Sequence, residues 1–198
     1  MVDNKLSSTR EADASVEPMF TERWSSKSFT SRPLTQAQIA SLFEAARWAP
    51  SSGNRQPWLF VYTTDGADRK KFDSVLNENN RKWATRSGMI VLVFARTVTD
   101  DGGNIRTAQF DTGAAWMSLA LQANQMGLNT RAMGGIDLDA AHEAAGVPRD
   151  KFKAICAIAI GSAGTNGDLE ADIREQNLPN GRKPVREVVF RGSYSGAS

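Results

Sequence analysis

Three residues near the start of the chain, Arg23, Ser25 and Lys27, have the types and spacing that suit a phosphate-binding site. Alternate side chains of an extended segment share one face, so these three would point the same way. Arginine offers a planar fork of donors, lysine a compact charge and serine a neutral hydrogen bond. The alternative is a basic patch that faces solvent, and this short pattern alone leaves both interpretations open.

Two later segments carry polar groups that could serve the same ligand. Arg182 follows Gly181, which permits a turn, and Pro184 stiffens the chain behind it. Asn80 lies between a predicted helix and the loop before an apolar strand, where its amide can donate to and accept from the edge of a heterocycle. The alternatives are surface exposure for Arg182 and loop capping for Asn80.

The segment APSSGNRQPWLF, residues 49–60, places many hydrogen-bonding groups directly before apolar side chains. Pro50 disfavours helical geometry at Ala49, so the preceding helix is predicted to end there. A strand is predicted to begin at Trp58. A plain surface loop would not need this combination, which raises the question of what the polar residues between them hold.

Composition excludes several kinds of chemistry. The chain has one histidine, His142, so a Ser-His-Asp triad or a His-rich metal site would have to use it, and its pattern places it on a helix surface. The single cysteine, Cys156, cannot form an intrachain disulfide and is predicted to be buried on a strand. The net charge of +2 does not indicate nucleic-acid binding. We predict no metal site.

A dinucleotide-binding turn of the Rossmann type is not predicted. The segment GSAGTNG, residues 161–167, follows a strand but does not match G-x-G-x-x-G, and a polar segment follows it instead of an apolar helix. We interpret it as a flexible loop.

The domain organisation is predicted to be simple. Residues 1–16 form a polar segment that is predicted to be disordered, and residues 17–198 form a single domain with a C-terminal arm. No apolar run approaches the roughly 18 residues of a membrane span, and the first residues lack a signal-peptide core. We therefore predict a cytoplasmic protein that does not bind membranes.

The predicted elements mix helices and strands without steady alternation, which favours a three-layer α+β domain. Thr35 and Gln38 form a capping box that begins the clearest helix. A weaker helix covers 72–88, and a long helix over 106–129 is apolar on nearly every side, which favours burial by a partner subunit as well as by the sheet. Strands are predicted at 58–64, 89–96 and 154–161, with an edge-like strand within 186–194.

Taken together, these segments resemble the nitroreductase family of flavin-dependent oxidoreductases. The most specific segment is the A-P-S-S-x-N-x-Q-P-W block at 49–58. The others match in the same order along the chain: ERWSSKSF at 22–29, NRKW at 80–83, the long helix that ends in G-L before a Gly-rich turn, AICAIAIG at 154–161 and GRKPVREVV at 181–189. The resemblance covers roughly residues 17–190.

The resemblance implies a mostly antiparallel sheet and an intertwined homodimer with two FMN sites. Ser25 and the cations would hold the phosphate and ribityl chain, Ser51 and Ser52 would reach the partner's flavin, Asn80 would bond the pyrimidine edge, and the Gly134 backbone would face the reactive nitrogen. The full implied set is Arg23, Trp24, Ser25, Lys27, Pro50, Ser51, Ser52, Asn54, Asn80, Met133, Gly134, Gly135 and Arg182. The chemistry would take place on FMN, with no catalytic side chain.

The chain departs from the family pattern at three of these places. Trp24 stands where many relatives carry Arg or His, and Trp83 stands where some carry Lys. Gly134 replaces a larger residue of some members, which opens space over the ring.

The implied function is transfer of hydride from NADPH or NADH, through FMN, to nitroaromatics, quinones or similar flat acceptors by a ping-pong mechanism. One alternative is a specialised enzyme of the same fold: a dehalogenase, an enone reductase or a flavin-degrading enzyme. Another is an FMN-binding or storage protein without turnover. No residue of the sequence shows which of these functions applies, whether NADH or NADPH is preferred, or which segment forms a substrate lid. Arg55 is assigned no role.

Overall fold

A four-stranded antiparallel sheet forms the centre of the computed structural model, which describes residues 10–194. Its strands are β1 (Trp58–Thr63), β2 (Met89–Arg96), β3 (Leu128–Met133) and β4 (Phe152–Ser162). The spatial order is β1-β2-β4-β3, and every neighbouring pair is antiparallel. β1 and β3 are therefore the two edges of the sheet, and the predicted α+β class is confirmed.

Helices cover both faces of this sheet, which gives the three predicted layers. They are α1 (Pro18–Glu22), α2 (Gln36–Arg47), α3 (Gly66–Val75), α4 (Glu78–Ala84), α5 (Ala108–Gln125), α6 (Leu138–Ala145) and α7 (Ala171–Gln176). α2 and α5 pack on one face, and α3, α4, α6 and α7 contribute to the core on the other. Successive residues of β2 enter the two cores in turn, as expected of a strand covered on both sides.

The start of α2 shows the predicted capping box. The Thr35 hydroxyl accepts a hydrogen bond from the Gln38 backbone N–H at 3.2 Å, and the Gln38 side chain accepts from the Thr35 backbone N–H at 2.9 Å. Two N–H groups that the helix itself cannot satisfy are thereby bonded. The helix ends at Arg47, just before Pro50, as predicted.

The weak helix predicted over 72–88 is in fact two helices, α3 and α4. The chain breaks at Leu76, which is buried and pairs with Ile136 in an isolated β-bridge. Asn77 then caps α4 by accepting a hydrogen bond from the Asn80 backbone N–H at 2.9 Å. A contact with a distant segment therefore decides where the first helix stops.

The edge strand β3 was missed, and the edge-like strand predicted near the end of the chain was wrong. β3 was not predicted because LNTRAM has little apolar alternation, and its pairing with β4 supplies the stability that its own pattern lacks. The strand predicted within 186–194 is absent from the described chain, where Val185–Glu187 form a 3-10 turn instead. Val188 and Val189 are exposed, and strand propensity has no effect without a paired neighbour.

His142 is not on the surface as predicted, because α6 turns it toward the sheet. The residue is 8% exposed, its ring centroid lies 5.2 Å from that of Phe94, and its Nδ1 donates to the Val147 carbonyl at 2.9 Å. Cys156 does lie on a strand, but it is only partly buried. Burial raises the pKa of its thiol to about 11, so the reactive thiolate is scarce at neutral pH.

The Gly-rich segment 161–167, which we interpreted from the sequence as a flexible loop, begins within β4 and holds packing glycines and a capped turn. A Cβ on Gly164 would lie 2.8 Å from the Phe29 carbonyl, and one on Gly161 would lie 2.8 Å from the Gly88 nitrogen. Thr165 and Asp168 then cap a 3-10 turn at Asn166–Asp168. Within residues 10–194 no helix is long and apolar enough to cross a membrane, and no three potential metal ligands come together.

Arg69 on α3 is a buried cation that the sequence did not reveal. It is 8% exposed, pairs with Asp73 at 2.9 Å, and donates to the carbonyl groups of Ser87 at 2.9 Å and Thr85 at 3.0 Å. These bonds tie α3 to the chain between α4 and β2. The sequence signal, one Arg in a polar helix, does not distinguish it from its exposed neighbours.

Arg69→Met is expected to lower the free energy of unfolding by about 3–5 kcal/mol, because Asp73 and the carbonyl groups lose their partner. Urea denaturation measures this change. The control is Lys71→Met on the same helix, whose pair with Asp68 is exposed and contributes about 0–1 kcal/mol. Equal losses for the two variants would contradict the anchoring role of Arg69.

Candidate functional site

Five cations, which we call the basic cluster, lie on or near the segment that follows α1. They are Arg10, Arg23, Lys27, Arg131 and Arg182. Within residues 10–194 none of the five has a carboxylate within salt-bridge distance. The structure therefore brings three predicted site residues, Arg23, Lys27 and Arg182, together with two that were not predicted.

The first part of the basic cluster surrounds a cavity of about 180 Å³. Arg10, Arg23 and Arg182 line it together with Glu11 and other residues. Burial lowers the pKa of Arg23, and the charges of Arg10 and Arg182 lower it further. Closely spaced like charges favour an anion between them, so this cavity suits a phosphate group.

The backbone around residues 23–27 is held in place from several sides. Arg10 donates to the carbonyl groups of Thr21 at 2.9 Å and Arg23 at 2.7 Å. The Lys27 N–H donates to the Asn177 side chain at 2.7 Å. These bonds fix the end of α1 and the extended segment behind it, so the cations are carried by an anchored backbone.

Side chains alternate along this segment as the sequence predicted. Ser26 and Ser28 are buried, whereas Ser25 and Lys27 are partly exposed. The Arg23 guanidinium lies 3.5 Å from the Ser25 hydroxyl on the accessible side. The neighbouring cations and hydroxyl are thus available to a ligand.

Arg182 reaches the cluster from the far end of the chain. Its guanidinium donates to the carbonyl groups of Asn180 and Gly181, at 3.2 Å and 2.8 Å. The arm behind it is tied down by a hydrogen bond of 2.7 Å from the Val185 N–H to the Asp13 carboxylate. Residues 1–9 of the segment predicted to be disordered lie outside the described chain, whereas Arg10 and Asp13 make these specific bonds.

Asn80 contacts the glycine pair that follows β3, as expected if Asn80 and these glycines belong to one site. Its amide donates to the Gly135 carbonyl at 3.0 Å, and the Asn77 N–H donates to the same oxygen at 3.1 Å. A Cβ on Gly135 would lie 2.2 Å from the Asn77 amide nitrogen, so glycine permits this contact. A Cβ on Gly134 would meet nothing within 4 Å, which leaves its backbone beside open space.

Two other predicted site residues, Met133 and Trp24, and Trp83, whose contact with the flavin the sequence left open, are less accessible to a ligand. Met133 is buried in the core, so its side chain is not accessible to a ligand. Trp24 is half-buried, and its indole N–H makes no hydrogen bond within the described residues. Trp83 is 1% exposed, and its ring stacks on that of Phe29 with the ring centroids 6.1 Å apart. Trp83 therefore belongs to the core.

The loop after α2 has an unusual backbone. Gly53, Asn54 and Gln56 have φ angles of 58°, 54° and 48°, and such values are uncommon in residues other than glycine. Ser51 accepts a hydrogen bond from the Gln56 N–H at 3.0 Å. Strained backbone of this kind often occurs at functional sites. Pro50 and Ser52 to Asn54 are exposed.

Asp111 on α5 anchors this loop and was not predicted. It is 3% exposed and accepts hydrogen bonds from the Ser52 N–H at 3.2 Å and from the Thr107 hydroxyl at 2.9 Å. A carboxylate in the first turn of a helix also interacts favourably with the helix dipole. In the sequence it was one polar residue within an apolar helix.

Within one chain this loop lies far from Arg131 of the basic cluster. The loop leads into β1, and Arg131 lies on β3 at the opposite edge, about 14 Å away across three strand spacings. The β1 residue Trp58 pairs with Ala95 of β2, whereas Arg131 pairs with Ala159 and so aligns with Ile90. Trp58, at the end of the loop, and Arg131 are thus also about 17 Å apart along the strand direction.

α5 presents an apolar face that the described chain does not cover. Phe110 is 81% exposed and Met117 is also exposed, while Ala114 and Leu121 on the same face are half-buried. The opposite face packs on the sheet through Ala115 and its neighbours. Met117 also lines the cavity at the basic cluster, so the uncovered face continues into the site.

The sheet and the basic cluster define an α+β protein with a cluster of positive charge at one sheet edge. The chain belongs to the nitroreductase family, whose model matches residues 20–87 and 74–162. The chain is 36% identical to a solved oxidoreductase that contains FMN, with a TM-score of 0.91 over 95% of this chain and 97% of the other.

Two relatives of known source are similar to parts of the chain. A provisionally named NAD(P)H nitroreductase of Bacillus subtilis, YdgI, is 25% identical over 68% of this chain and 81% of its own length. A provisionally named NADH dehydrogenase/NAD(P)H nitroreductase of Streptomyces coelicolor, SCO7141, is 31% identical over 77 residues. That match spans 39% of this chain and 38% of the relative.

Proposed function

We propose that this protein is an FMN-dependent oxidoreductase that uses NADH or NADPH to reduce nitroaromatics, quinones or similar flat acceptors. The observation that carries the proposal is the basic cluster, without paired carboxylates in the described chain, beside the contact of Asn80 with Gly135. Its support is the nitroreductase family membership, the FMN of a relative that shares 36% identity, and the NAD(P)H named for two others.

The residues present fit the two ends of FMN. Arg23 and Arg182, with Arg10, suit the phosphate, and charge-assisted hydrogen bonds contribute about 1.5–3 kcal/mol each. Ser25 and Lys27 lie on the same segment as Arg23, and the Asn80 amide keeps a second N–H and a carbonyl oxygen that suit the pyrimidine edge. The open backbone at Gly134 permits close approach of a flat ring.

Bound FMN supplies the redox chemistry, by accepting a hydride from the nicotinamide and passing it to the acceptor, so no acid–base side chain is required. The protein contributes binding, orientation and electrostatics. The buried imidazole of His142 and the high thiol pKa of Cys156 agree with this division of roles. If one accessible face of FMN serves donor and acceptor in turn, the kinetics are ping-pong.

The complete site is proposed to form between two copies of the chain. The loop carrying Ser51 and Ser52 lies at the sheet edge opposite Arg131, so a second copy would have to supply it to the basic cluster. The exposed apolar face of α5 offers the contact surface. Burial of apolar side chains contributes about 25 cal/mol per Å² removed from water.

Phe110→Glu is expected to convert a dimer into a monomer and to release FMN, because it places a charge in the proposed apolar contact. Light scattering after gel filtration measures the mass, and absorbance at flavin wavelengths measures retention. Leu138→Glu on α6 is the control, because it changes an exposed apolar residue outside this face. A wild-type monomer that binds FMN would contradict the shared site.

One experiment separates the proposed reductase from its alternatives. The protein is loaded with FMN, reduced anaerobically with NADH and with NADPH in separate samples, and then mixed with a nitroaromatic or a quinone. Rapid bleaching and reoxidation over many cycles support the reductase. A protein that takes up no FMN excludes both flavin functions, and a yellow protein that never bleaches indicates storage.

Specialised reactions of the same fold are distinguished by their acceptors. A bleached protein that ignores nitroaromatics and quinones but is reoxidised by a halogenated aromatic or an enone would be a dehalogenase or an enone reductase. Loss of the flavin spectrum during turnover would indicate a flavin-degrading enzyme.

A further inference from the structure

Arg131 on β3 is a cation to which the family resemblance assigned no role. It is half-buried, and its guanidinium donates to the Ser25 carbonyl. The same group lies over the Trp83 ring, 5.6 Å from the ring centroid. Within residues 10–194 it has no carboxylate partner.

The position of Arg131 on β3 explains its contacts with Ser25 and Trp83. Arg131 and Met133 lie on the same side of the strand, and Met133 enters the core that contains Trp83 and Phe29. Trp83 is fixed by its stacking on Phe29, so its outer face is a rigid apolar platform for the guanidinium. Since β3 is an edge strand, the side chain can extend past the sheet toward Ser25.

The charge of Arg131 is incompletely compensated. Burial lowers its pKa, and after burial itself Arg131 is the main cause of the lowered pKa of Lys27. A cation–π contact and one hydrogen bond to a carbonyl group stabilise the guanidinium but do not neutralise its charge as a carboxylate would. Arg131 and Lys27 thus form a second centre of positive charge beside the cavity of Arg10, Arg23 and Arg182.

This second centre adjoins residues assigned to both ends of the proposed cofactor site. Ser25, on the phosphate side, contacts Arg131 directly. On the other side, Trp83 and Asn80 are three residues apart on α4 and so are neighbours on one helix surface. The Trp83 side chain itself carries no charge.

We propose that Arg131 contacts the pyrimidine end of FMN and supplies there the positive charge that Trp83 cannot provide. The inference rests on the proposed function. The pyrimidine end of the ring carries the negative charge that a flavin gains on reduction, so Arg131 stabilises bound reduced FMN more than bound oxidised FMN. Trp83 acts through Arg131, by holding its guanidinium in place.

The test compares Arg131→Met, Arg131→Gln and Arg131→Lys with the wild type, all loaded with FMN. Met retains an apolar stem over Trp83, Gln retains polarity, and Lys retains the charge. Loss of the charge is expected to weaken binding of reduced FMN, relative to oxidised FMN, by about tenfold to a hundredfold. This corresponds to a midpoint potential about 30–60 mV more negative.

Equilibration with redox dyes measures the potential, fluorescence titration measures the dissociation constant of oxidised FMN, and urea unfolding measures stability. Arg149→Gln is the control, because that arginine is ion-paired on the surface. Met and Gln variants with the wild-type potential would overturn the inference, as would a Lys variant shifted as far as Met. A wild type that binds no FMN would instead overturn the proposed function.

Discussion

Arg23→Ala combined with Lys27→Ala is expected to weaken FMN binding by about a hundredfold to ten-thousandfold. Two charge-assisted hydrogen bonds at about 1.5–3 kcal/mol each account for a loss of this size. The free energy of unfolding should change by less than about 1 kcal/mol, since neither side chain has an ion-pair partner in the described chain. Fluorescence titration of the flavin-free protein and urea denaturation measure the two quantities separately.

Riboflavin, which lacks the phosphate, makes this test specific. The wild type should bind FMN much more tightly than riboflavin, and the double variant should lose most of that difference. Arg149→Ala with Lys153→Ala is the matched control, because it removes the same charge at the same spacing from exposed positions. If the double variant of Arg23 and Lys27 keeps its FMN through dialysis, the phosphate assignment is wrong.

Local sequence patterns predicted the parts of this fold that local interactions determine. The capping box of Thr35 and Gln38, the end of α2 before Pro50 and the doubly covered strand β2 all follow from neighbouring residues. The alternation of Ser25 and Lys27 with buried serines also followed from spacing. The resemblance to the nitroreductase family predicted the antiparallel sheet, which no composition argument could give.

The missed features depend on contacts between distant segments. Arg131 bonds a carbonyl 106 positions away, and the strand that carries it is stabilised by pairing with β4. Leu76 ends α3 because it pairs with Ile136, and the exposed valines after Pro184 have no strand to join. Side-chain type alone also cannot show that a carboxylate such as Asp111 faces inward and bonds a loop backbone.

Asp111→Ala is expected to lower the free energy of unfolding by about 2–3 kcal/mol, because the Ser52 N–H and the Thr107 hydroxyl lose a charged acceptor. The loop of Ser51 and Ser52 should also lose its fixed conformation, and FMN dissociation should accelerate if that loop contacts the flavin. Hydrogen exchange at the Ser52 amide measures the loss of the fixed loop conformation, and stopped-flow release of FMN measures the dissociation rate. Thr107→Val, which leaves the Ser52 bond intact, should change stability but not the loop amide.

A mixed dimer then decides whether the loop acts on its own chain's cofactor site or on the partner's. One copy carries Arg23→Ala with Lys27→Ala, the other carries Asp111→Ala, and different affinity tags allow the mixed species to be purified. If each site combines the cations of one copy with the loop of the other, both lesions fall in one site, and the second site is intact. Such dimers should bind one FMN with wild-type affinity and wild-type dissociation rate. If each site uses its own loop, both sites are impaired and no wild-type site remains, which would contradict the shared arrangement.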